Sequence, residues 1–383
     1  MNNKTGLILV FCIGSLLILS GILMFGWTDT WAALLVPTMY PPFADLRTVQ
    51  GSILSLSQGF DPQLINPGDP WKRAMNYPSI WISIANLFSL NKEPNYLIFV
   101  STYVLIYLSS CFNILRKYPS LWMLIAIFSG SSLLAVERGN NDLMVFSLLY
   151  FASLTPALLS GAIILLASTL KIYPIFSIVS LHANKKMLLT IAALAGIYFL
   201  TQIPELHKIR SGTPVSASLS YGAPSIVEAI NSQLKISISP WTLSLCMVLF
   251  AITLGASNRI KAYINCENSS GGEFKLFMIG ASIYLGTFII SSNWDYRLIF
   301  LIFCIPFIEK LINRRIKIPL LIAIVLASNQ IILTTLLGGI VGIFLCISAK
   351  CIIFLCLILL IQNNISKLIY ADLRRKNFKN KVN

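Results

Sequence analysis

Residues 131–150 read SSLLAVERGNNDLMVFSLLY, two apolar runs joined by one short polar turn. The runs suit helices in a bilayer, whereas the turn, residues 137–142, places charged and amide side chains around Gly139. Ionisable residues at membrane depth are costly, and those that occur usually mark a functional site. A solvated hairpin loop is the alternative, because glycine and asparagine are ordinary turn residues. We favour two helices joined by a functional polar turn.

The composition places the rest of the chain in the same class. Of its 383 residues, 56% are hydrophobic and only 11% are charged, and the mean hydropathy is +0.77. Soluble domains do not have this composition, so we expect an all-α polytopic membrane protein with one domain over residues 1–383. Apolar runs predict about twelve transmembrane helices, several of them short enough to require tilting or a thinned bilayer. Their approximate bounds are 6–26, 94–113, 119–136, 142–155, 157–170, 173–184, 187–203, 237–256, 274–292, 297–310, 318–334 and 337–362.

The basic residues orient these spans. With the N-terminus in the cytoplasm, the formal net charge of +15 falls entirely on the inner side. The inner set includes Lys185, Lys186, Arg314 and Arg315, and also Lys350, which is predicted near the inner end of the last span. We therefore expect a multi-pass protein of the cell inner (plasma) membrane with both termini cytoplasmic. The basic residues form no folded patch, so no nucleic-acid partner is expected.

Two long loops fall on the outer side. In the first, about 27–95, the pattern over residues 45–54 predicts a short interfacial helix, and residues 80–90, too short to span, predict an interfacial or re-entrant helix. Asp45 begins the first of these helices, where it could act as a general base or be an acidic first-turn residue favoured by the helix dipole. The second loop, about 204–240, contains Ser, Gly and Pro and could cover the site as a lid.

Two more polar clusters lie at outer helix ends. Lys171 closes a short span just before Tyr173 and Pro174, where its ammonium group could bind phosphate or snorkel to the interface. Residues 293–297 read NWDYR. An aromatic belt explains the rings but not the adjacent Asp295 and Arg297. Aromatic rings beside carboxylates and amides also suit a sugar.

Six motifs, in order over about residues 40–300, together resemble glycosyltransferase family 87. They are Asp45-Leu46-Arg47, Gly59-Phe60-Asp61-Pro62, Asn76-Tyr77-Pro78, Glu137-Arg138-Gly139-Asn140 with Asp142, Leu170-Lys171-Ile172-Tyr173-Pro174 and Asp295-Tyr296-Arg297. The pairing of Glu-Arg-Gly-Asn with Lys-x-Tyr-Pro is the most specific part of the resemblance. The family belongs to the GT-C superfamily of membrane enzymes that use polyprenyl-phosphate sugars.

The resemblance implies a GT-C fold, in which interfacial helices of the first outer loop lie over the active site in the bilayer. It implies transfer of a hexose, such as mannose, from a polyprenyl-phosphate-linked donor to a hydroxyl of a glycan or glycolipid acceptor, with inversion. In that scheme Asp45 is the catalytic base. The donor phosphate is expected to bind Arg138, Lys171 and Arg297. The sugar or acceptor is expected to bind Asn76, Tyr77, Glu137, Asn140, Asp142, Tyr173 and Asp295.

Other classes stay open on the sequence alone. A transporter or flippase of lipid-linked sugars or small solutes would use buried charges as a path, but near the middle of helices rather than at their ends. An oligosaccharide polymerase or ligase is a third possibility, with less support from the motifs. With only His182 and His207 in the chain, a histidine-based metal site is not expected, and no cofactor is predicted.

Overall fold

The computed structural model describes residues 3–213, 219–234, 237–257 and 271–382. Within them the chain is almost entirely helical. The first half contains α1 Asn3–Phe25, α2 Trp27–Ala33, α3 Ala44–Ser57, α4 Ile80–Leu87, α5 Glu93–Lys117, α6 Leu121–Ile127, α7 Gly130–Arg138, α8 Asp142–Leu154, α9 Ala157–Leu170, the 3-10 helix η1 Tyr173–Leu181, α10 Lys185–Thr201 and α11 Ile203–Gly212. The second half contains α12 Ala223–Leu234, α13 Pro240–Ala256, α14 Gly272–Ile290, the 3-10 helix η2 Asp295–Cys304, α15 Ile305–Glu309, α16 Arg314–Ser328, α17 Gln330–Leu337 and α18 Gly339–Val382.

The helices confirm an all-α, multi-pass membrane protein. Five helical stretches in the described residues are long and apolar enough to cross a bilayer, or seven if two bent pairs each count as one span. The five are Lys4–Phe25, Glu93–Lys117, Leu121–Arg138, Gly272–Ile290 and Gly339–Asn364. The bent pairs are α10 with α11, at 73°, and α16 with α17, at 81°.

The predicted count of about twelve spans is not confirmed. Three predicted spans form helices of 13, 14 and 17 residues, namely α8, α9 and α13. At 1.5 Å per residue, such helices are too short to cross about 30 Å of hydrocarbon upright. The predicted spans at 173–184 and 297–310 are largely the 3-10 helices η1 and η2. The predicted span 318–334 breaks at Asn329, where α16 gives way to α17.

The first outer loop folds into short helices, as predicted, with α3 and α4 at the expected places. Leu46 and Val49 of α3 are fully buried, which fixes the face that the helix turns to the bundle. The loop folds back on this helix through a close backbone contact. A Cβ atom built on Gly51 would lie 2.4 Å from the carbonyl carbon of Gly68, so neither position has room for a side chain. The helix that carries Asp45 is thereby held in place.

Aromatic side chains pack between the helices whose ends carry the polar residues. Phe146 of α8 stacks on Phe303 of η2 with ring centroids 4.3 Å apart, and Tyr107 of α5 meets Phe146 edge-on at 5.0 Å. Tyr173 of η1 packs edge-on against Phe300 of η2 at 5.6 Å. Such pairs add about 0.5–1.5 kcal/mol each beyond their buried area. These packed rings thus fix the ends of α8, η1 and η2 relative to one another.

Two short strands link the late part of the chain to the same region. Ser220–Tyr221 (β1) pairs antiparallel with Asn293–Trp294 (β2), with Ser220 opposite Trp294 and Tyr221 opposite Asn293. The expected lid over 204–240 is therefore partly ordered as α11, β1 and α12. Residues 214–218 and 235–236 of that stretch lie outside the described residues.

Candidate active site

The turn at residues 139–141 sets the geometry of the site. Gly139 ends α7 with φ 55° and ψ 40°, and a Cβ atom there would lie 2.7 Å from Val100 Cγ2. The backbone N–H of Asn140 donates to Ala135 O at 3.0 Å, which closes the helix end. Asn140 Oδ1 then accepts from the N–H of Asp142 at 2.9 Å, at the first residue of α8. Glycine is required at this left-handed position, and the turn fixes the side chains of Asn140 and Asp142.

Asn140 connects a carboxylate to a cation. Its Nδ2 donates to Asp45 Oδ2 at 2.6 Å, and its Oδ1 accepts from Lys171 Nζ at 3.0 Å. Asn140 is fully buried, so these contacts are shielded from solvent. The structure therefore brings together residues from α3, from the 139–141 turn and from the end of α9.

Asp142 is the centre of a second set of contacts. Its Oδ1 accepts from Lys171 Nζ and from Tyr173 Oη, the latter at 2.6 Å, and its Oδ2 lies 3.4 Å from Arg297 Nε. Arg297 also donates from Nη1 to Asn293 Oδ1, and its guanidinium lies over the Tyr173 ring at 4.2 Å. Asp142 is fully buried. One buried carboxylate therefore holds two cations in a set with a net positive charge.

Aromatic rings face the ammonium group of Lys171. Its Nζ lies 5.2 Å from the ring centroid of Tyr77 and 5.7 Å from that of Tyr296. Both distances are within the range of a cation–π contact. Burial, followed by the charge of Asp45, raises the pKa of Tyr77 well above its ordinary value of 10.0, so this phenol stays neutral. Trp81 anchors the segment by donating to Leu170 O at 2.9 Å.

Arg73 is a site residue that sequence reasoning missed. Its Nη1 lies 3.6 Å from Asp45 Oδ1, and its Nη2 donates to Ala44 O at 2.5 Å. Asp69 holds the guanidinium through Nε at 3.1 Å and Nη2 at 2.9 Å. Arg73 lies three residues before Asn76, next to a motif that the sequence did single out. Its contact with Asp45 forms only when the loop folds back, and no local pattern in the sequence indicates this contact.

Glu137 and Arg138 form a separate pair beside the main set. Glu137 is fully buried and accepts from Met39 N at 2.8 Å, from Trp27 Nε1 at 3.3 Å and from Arg138 Nη1 at 2.5 Å. It thus ties the start of the first outer loop to the end of α7. Within the described residues, the side chain of Arg138 makes no hydrogen bond to either carboxylate of the main set, Asp45 or Asp142.

Asp295 and Lys350 form a further buried pair, which corrects the predicted place of Lys350. The two side chains meet at 2.7 Å, and Lys350 Nζ also donates to Ser220 O at 3.0 Å and to Gln330 Oε1 at 2.5 Å. Lys350 is 1% exposed inside the span Gly339–Asn364, rather than at a cytoplasmic helix end. Its apolar neighbours in sequence gave no sign of a partner, because Asp295 is 55 residues away.

The remaining predicted site residue is Asn76. It is half-buried and makes no hydrogen bond to the other candidate residues within the described ranges. The structure therefore brings Asp45, Asn140, Asp142, Lys171, Tyr173, Arg297 and Tyr77 into one connected set, hereafter the central network. Glu137 with Arg138, and Asp295 with Lys350, lie outside that set of contacts.

Comparison with known proteins identifies one family. Residues 77–211 match the family model of glycosyltransferase family 87. The matched stretch contains Tyr77, the 137–142 turn and Lys171–Pro174, and it leaves out Asp45 and Arg297. No curated protein and no solved structure matches the chain. The family match confirms the predicted resemblance over the matched stretch and is consistent with a glycosyltransferase.

Proposed function

We propose that this chain, with its family 87 segment at residues 77–211, transfers a hexose such as mannose from a polyprenyl-phosphate carrier to a hydroxyl of a glycan or glycolipid. The observation that carries the proposal is the central network. It joins a candidate base, Asp45, to two cations, Lys171 and Arg297, through Asn140 and Asp142. These residues lie at the ends of apolar helices, where a lipid-borne phosphate would meet the protein.

The proposed reaction is a single displacement with inversion. The acceptor oxygen attacks C1 of the sugar while the bond from C1 to the phosphate oxygen breaks. Asp45 takes the acceptor proton, and polyprenyl phosphate leaves with the electron pair of the broken bond. The hydrogen bond from Asn140 and the nearby guanidinium of Arg73 hold the carboxylate of Asp45 in one orientation.

Both cations keep hydrogen-bond donors for a phosphate. An ammonium group has three donors, and Lys171 uses two of them on Asn140 and Asp142. Arg297 uses Nε and Nη1, and its Nη2 makes no hydrogen bond in the described residues. Asp45 and Asp142 balance the two cations in total charge, so the attraction of a phosphate rests on the donors of Lys171 and Arg297 that the protein leaves unused. We assign the phosphate of the donor to this pair, with Arg138 reaching it from the neighbouring turn.

The sugar and acceptor are assigned to the groups around these cations. Asn76, Tyr77, Asn140 and Tyr173 supply amide, ring and hydroxyl contacts of the kind that bind sugars. Asp142 acts by holding its two cations. Glu137 and Asp295 are buried against Arg138 and Lys350, so we propose that they act on the substrates only through the segments that they hold.

The charge distribution supports an orientation for the reaction. A net charge of +15 favours cytoplasmic ends for the basic segments, and this puts the central network at the outer face of the inner membrane. Both termini are then cytoplasmic, and the chain 1–383 acts as one domain.

The test is an assay of the purified protein with a panel of polyprenyl-phosphate sugars. Release of polyprenyl phosphate that depends on an added acceptor supports the proposal. Lys92→Gln is the control for Lys171→Gln in this assay, because it also removes a lysine charge but Lys92 is exposed and lies outside the central network. No release with any donor and acceptor pair would overturn the proposal.

A carrier of lipid-linked sugars is the second candidate, and one observation favours it. Lys350, which is buried against Asp295, lies inside an apolar span, where a transport path would place its charges. In liposomes, a carrier would move the labelled lipid-linked sugar between leaflets without releasing polyprenyl phosphate. Movement without release assigns the chain to this class, and release assigns it to the transferases.

A further inference from the structure

A large apolar groove runs between α5 and α8, away from the central network. It has a volume of about 1160 Å³, slightly above the ~300–1,000 Å³ typical of ligand pockets. Its walls include Leu105, Ile106, Met144, Leu148, Phe151 and Leu154. These side chains lie on the lipid-facing surface of two helices whose first residues, Glu93 and Asp142, are near the site. The groove therefore opens into the bilayer.

Three cations lie at the far end of this groove. Lys4, Arg116 and Lys117 line it together with Asn113, at the start of α1 and the end of α5. All three basic residues are exposed, and none forms an ion pair with a carboxylate in the described part of the chain. Glu273, which begins α14 at the same end, is already paired with Lys310 at 2.6 Å. Glu273 also attracts Lys117 at longer range, so the described residues neutralise only part of the positive charge at the groove mouth.

The dimensions match one leaflet of a bilayer. From Thr102 to Lys117, α5 rises by about 22 Å at 1.5 Å per residue. Half of a bilayer of about 40–45 Å, headgroups included, has nearly the same thickness. A lipid whose acyl chains lie along the apolar walls would therefore place its headgroup at the three cations.

We propose that this groove is a binding site for an anionic phospholipid of the leaflet opposite the central network. The phosphate and any further negative charge of the headgroup would contact Lys4, Arg116 and Lys117. A zwitterionic lipid is disfavoured because its own ammonium group would meet the same three cations. The inference does not depend on the proposed reaction, because the site lies at the other end of the helices and its readout is binding.

The test is native mass spectrometry of the full-length protein in a neutral detergent, titrated with dioleoyl phosphatidylglycerol or with phosphatidylcholine of the same chains. We expect one phosphatidylglycerol to be retained in preference to phosphatidylcholine. In the triple variant Lys4→Gln/Arg116→Gln/Lys117→Gln, the affinity for phosphatidylglycerol should fall about a hundredfold. Each of the three lost basic residues would otherwise attract the anionic headgroup. Leu105→Trp, a change at an exposed wall position, should weaken binding by filling the groove with no change of charge.

The matched control is Lys185→Gln/Lys186→Gln/Arg315→Gln, which removes the same charge from exposed residues outside the groove. This variant should bind phosphatidylglycerol like the unchanged protein. An equal loss in the control would show bulk electrostatic attraction and overturn the proposal. Equal retention of phosphatidylcholine would overturn it as well. Displacement of the bound lipid by a lower concentration of polyprenyl monophosphate would assign the groove to that lipid instead.

Discussion

Lys171 and Asp142 form a buried ion pair that must be tested as a unit. Removing one partner of such a pair costs about 3–5 kcal/mol, because the other charge is left uncompensated. Lys171→Gln alone should therefore lower both the melting temperature and donor affinity. Lys171→Gln/Asp142→Asn removes both charges but leaves the buried Arg297 without its carboxylate partner, so it should recover only part of the stability. Its donor affinity should stay ten- to a hundredfold weaker, since a charge-assisted hydrogen bond contributes about 1.5–3 kcal/mol. Wild-type donor affinity in the double variant would remove Lys171 from the phosphate site.

Arg138 offers a test that keeps the charge. Its guanidinium pairs with the buried Glu137, and a lysine could keep that ion pair. Lysine cannot reproduce the planar, bidentate fork that suits a phosphate. The melting temperature of Arg138→Lys should therefore lie within about 2 °C of the wild-type value, because the ion pair with Glu137 is retained. Donor affinity should fall about tenfold for the loss of one good hydrogen bond. If donor and acceptor kinetics both stay at wild-type values, Arg138 acts only as the partner of Glu137.

At this scale the sequence predicts residue types better than partners. Asp45, Asn140, Asp142, Lys171 and Arg297 stand out because polar groups are costly beside long apolar runs. Nothing in the sequence pairs Asp295 with Lys350, because the two are joined only when distant helices pack. Arg73 escapes notice for the same reason, since its contact with Asp45 needs the whole loop to fold back.

Helix α11 docks on the first outer loop through three polar contacts. Lys208 Nζ meets Asp61 Oδ2 at 2.6 Å, and Glu205 Oε1 accepts from Ser79 N at 2.6 Å and from Gln63 Nε2 at 2.8 Å. The hydrogen bond from Lys208 lowers the pKa of Asp61 below its ordinary value of 3.8 and outweighs the opposing effect of burial. A carboxyl group whose pKa is lower in the folded state stabilises that state at pH values above its unfolded pKa. This contribution is lost as the pH falls through the lower, folded value.

The variant Asp61→Asn tests the contribution of the pair between Asp61 and Lys208 to stability. Both side chains of the pair are more than one-third exposed, so solvent screening limits the effect to about 0.2–1 kcal/mol. The melting temperature of the variant should lie slightly below that of the wild type at pH 7. The difference should vanish as the pH is lowered through and below 3.8. Asp29→Asn, at an exposed residue without an ion pair in the described ranges, is the control. A difference that persists at low pH would mean that the charge of Asp61 is not its cause.

Across the whole molecule, Lys350 ties the last long helix to the region of the site. It connects α18 with β1 through Ser220, with η2 through Asp295 and with α17 through Gln330. Lys350→Met should destabilise the protein by about 3–5 kcal/mol, because Asp295 is left charged and buried. Lys350→Met/Asp295→Asn should regain most of that loss. Denaturant unfolding of the wild type and both variants checks this, and a single variant as stable as wild type would show that the pair is not a brace.

The overall fold was predictable in class but not in detail. Hydropathy separates apolar helices from loops, so the all-α membrane class and the positions of most helices follow from the sequence. It does not separate a span from a shorter helix, because a helix such as α9 is as apolar as a span but has only 14 residues. Hydropathy also gives no sign of the 73° and 81° bends.

We propose that the central network catalyses sugar transfer with Asp45 as the base. The most direct test is the turnover of purified Asp45→Asn with a polyprenyl-phosphate sugar and its acceptor, beside its melting temperature. The asparagine keeps an oxygen that can accept from Asn140 Nδ2, so the variant should fold normally. Its turnover should fall by about a hundredfold or more, in line with general-base catalysis. Wild-type turnover in a folded Asp45→Asn protein would contradict the account.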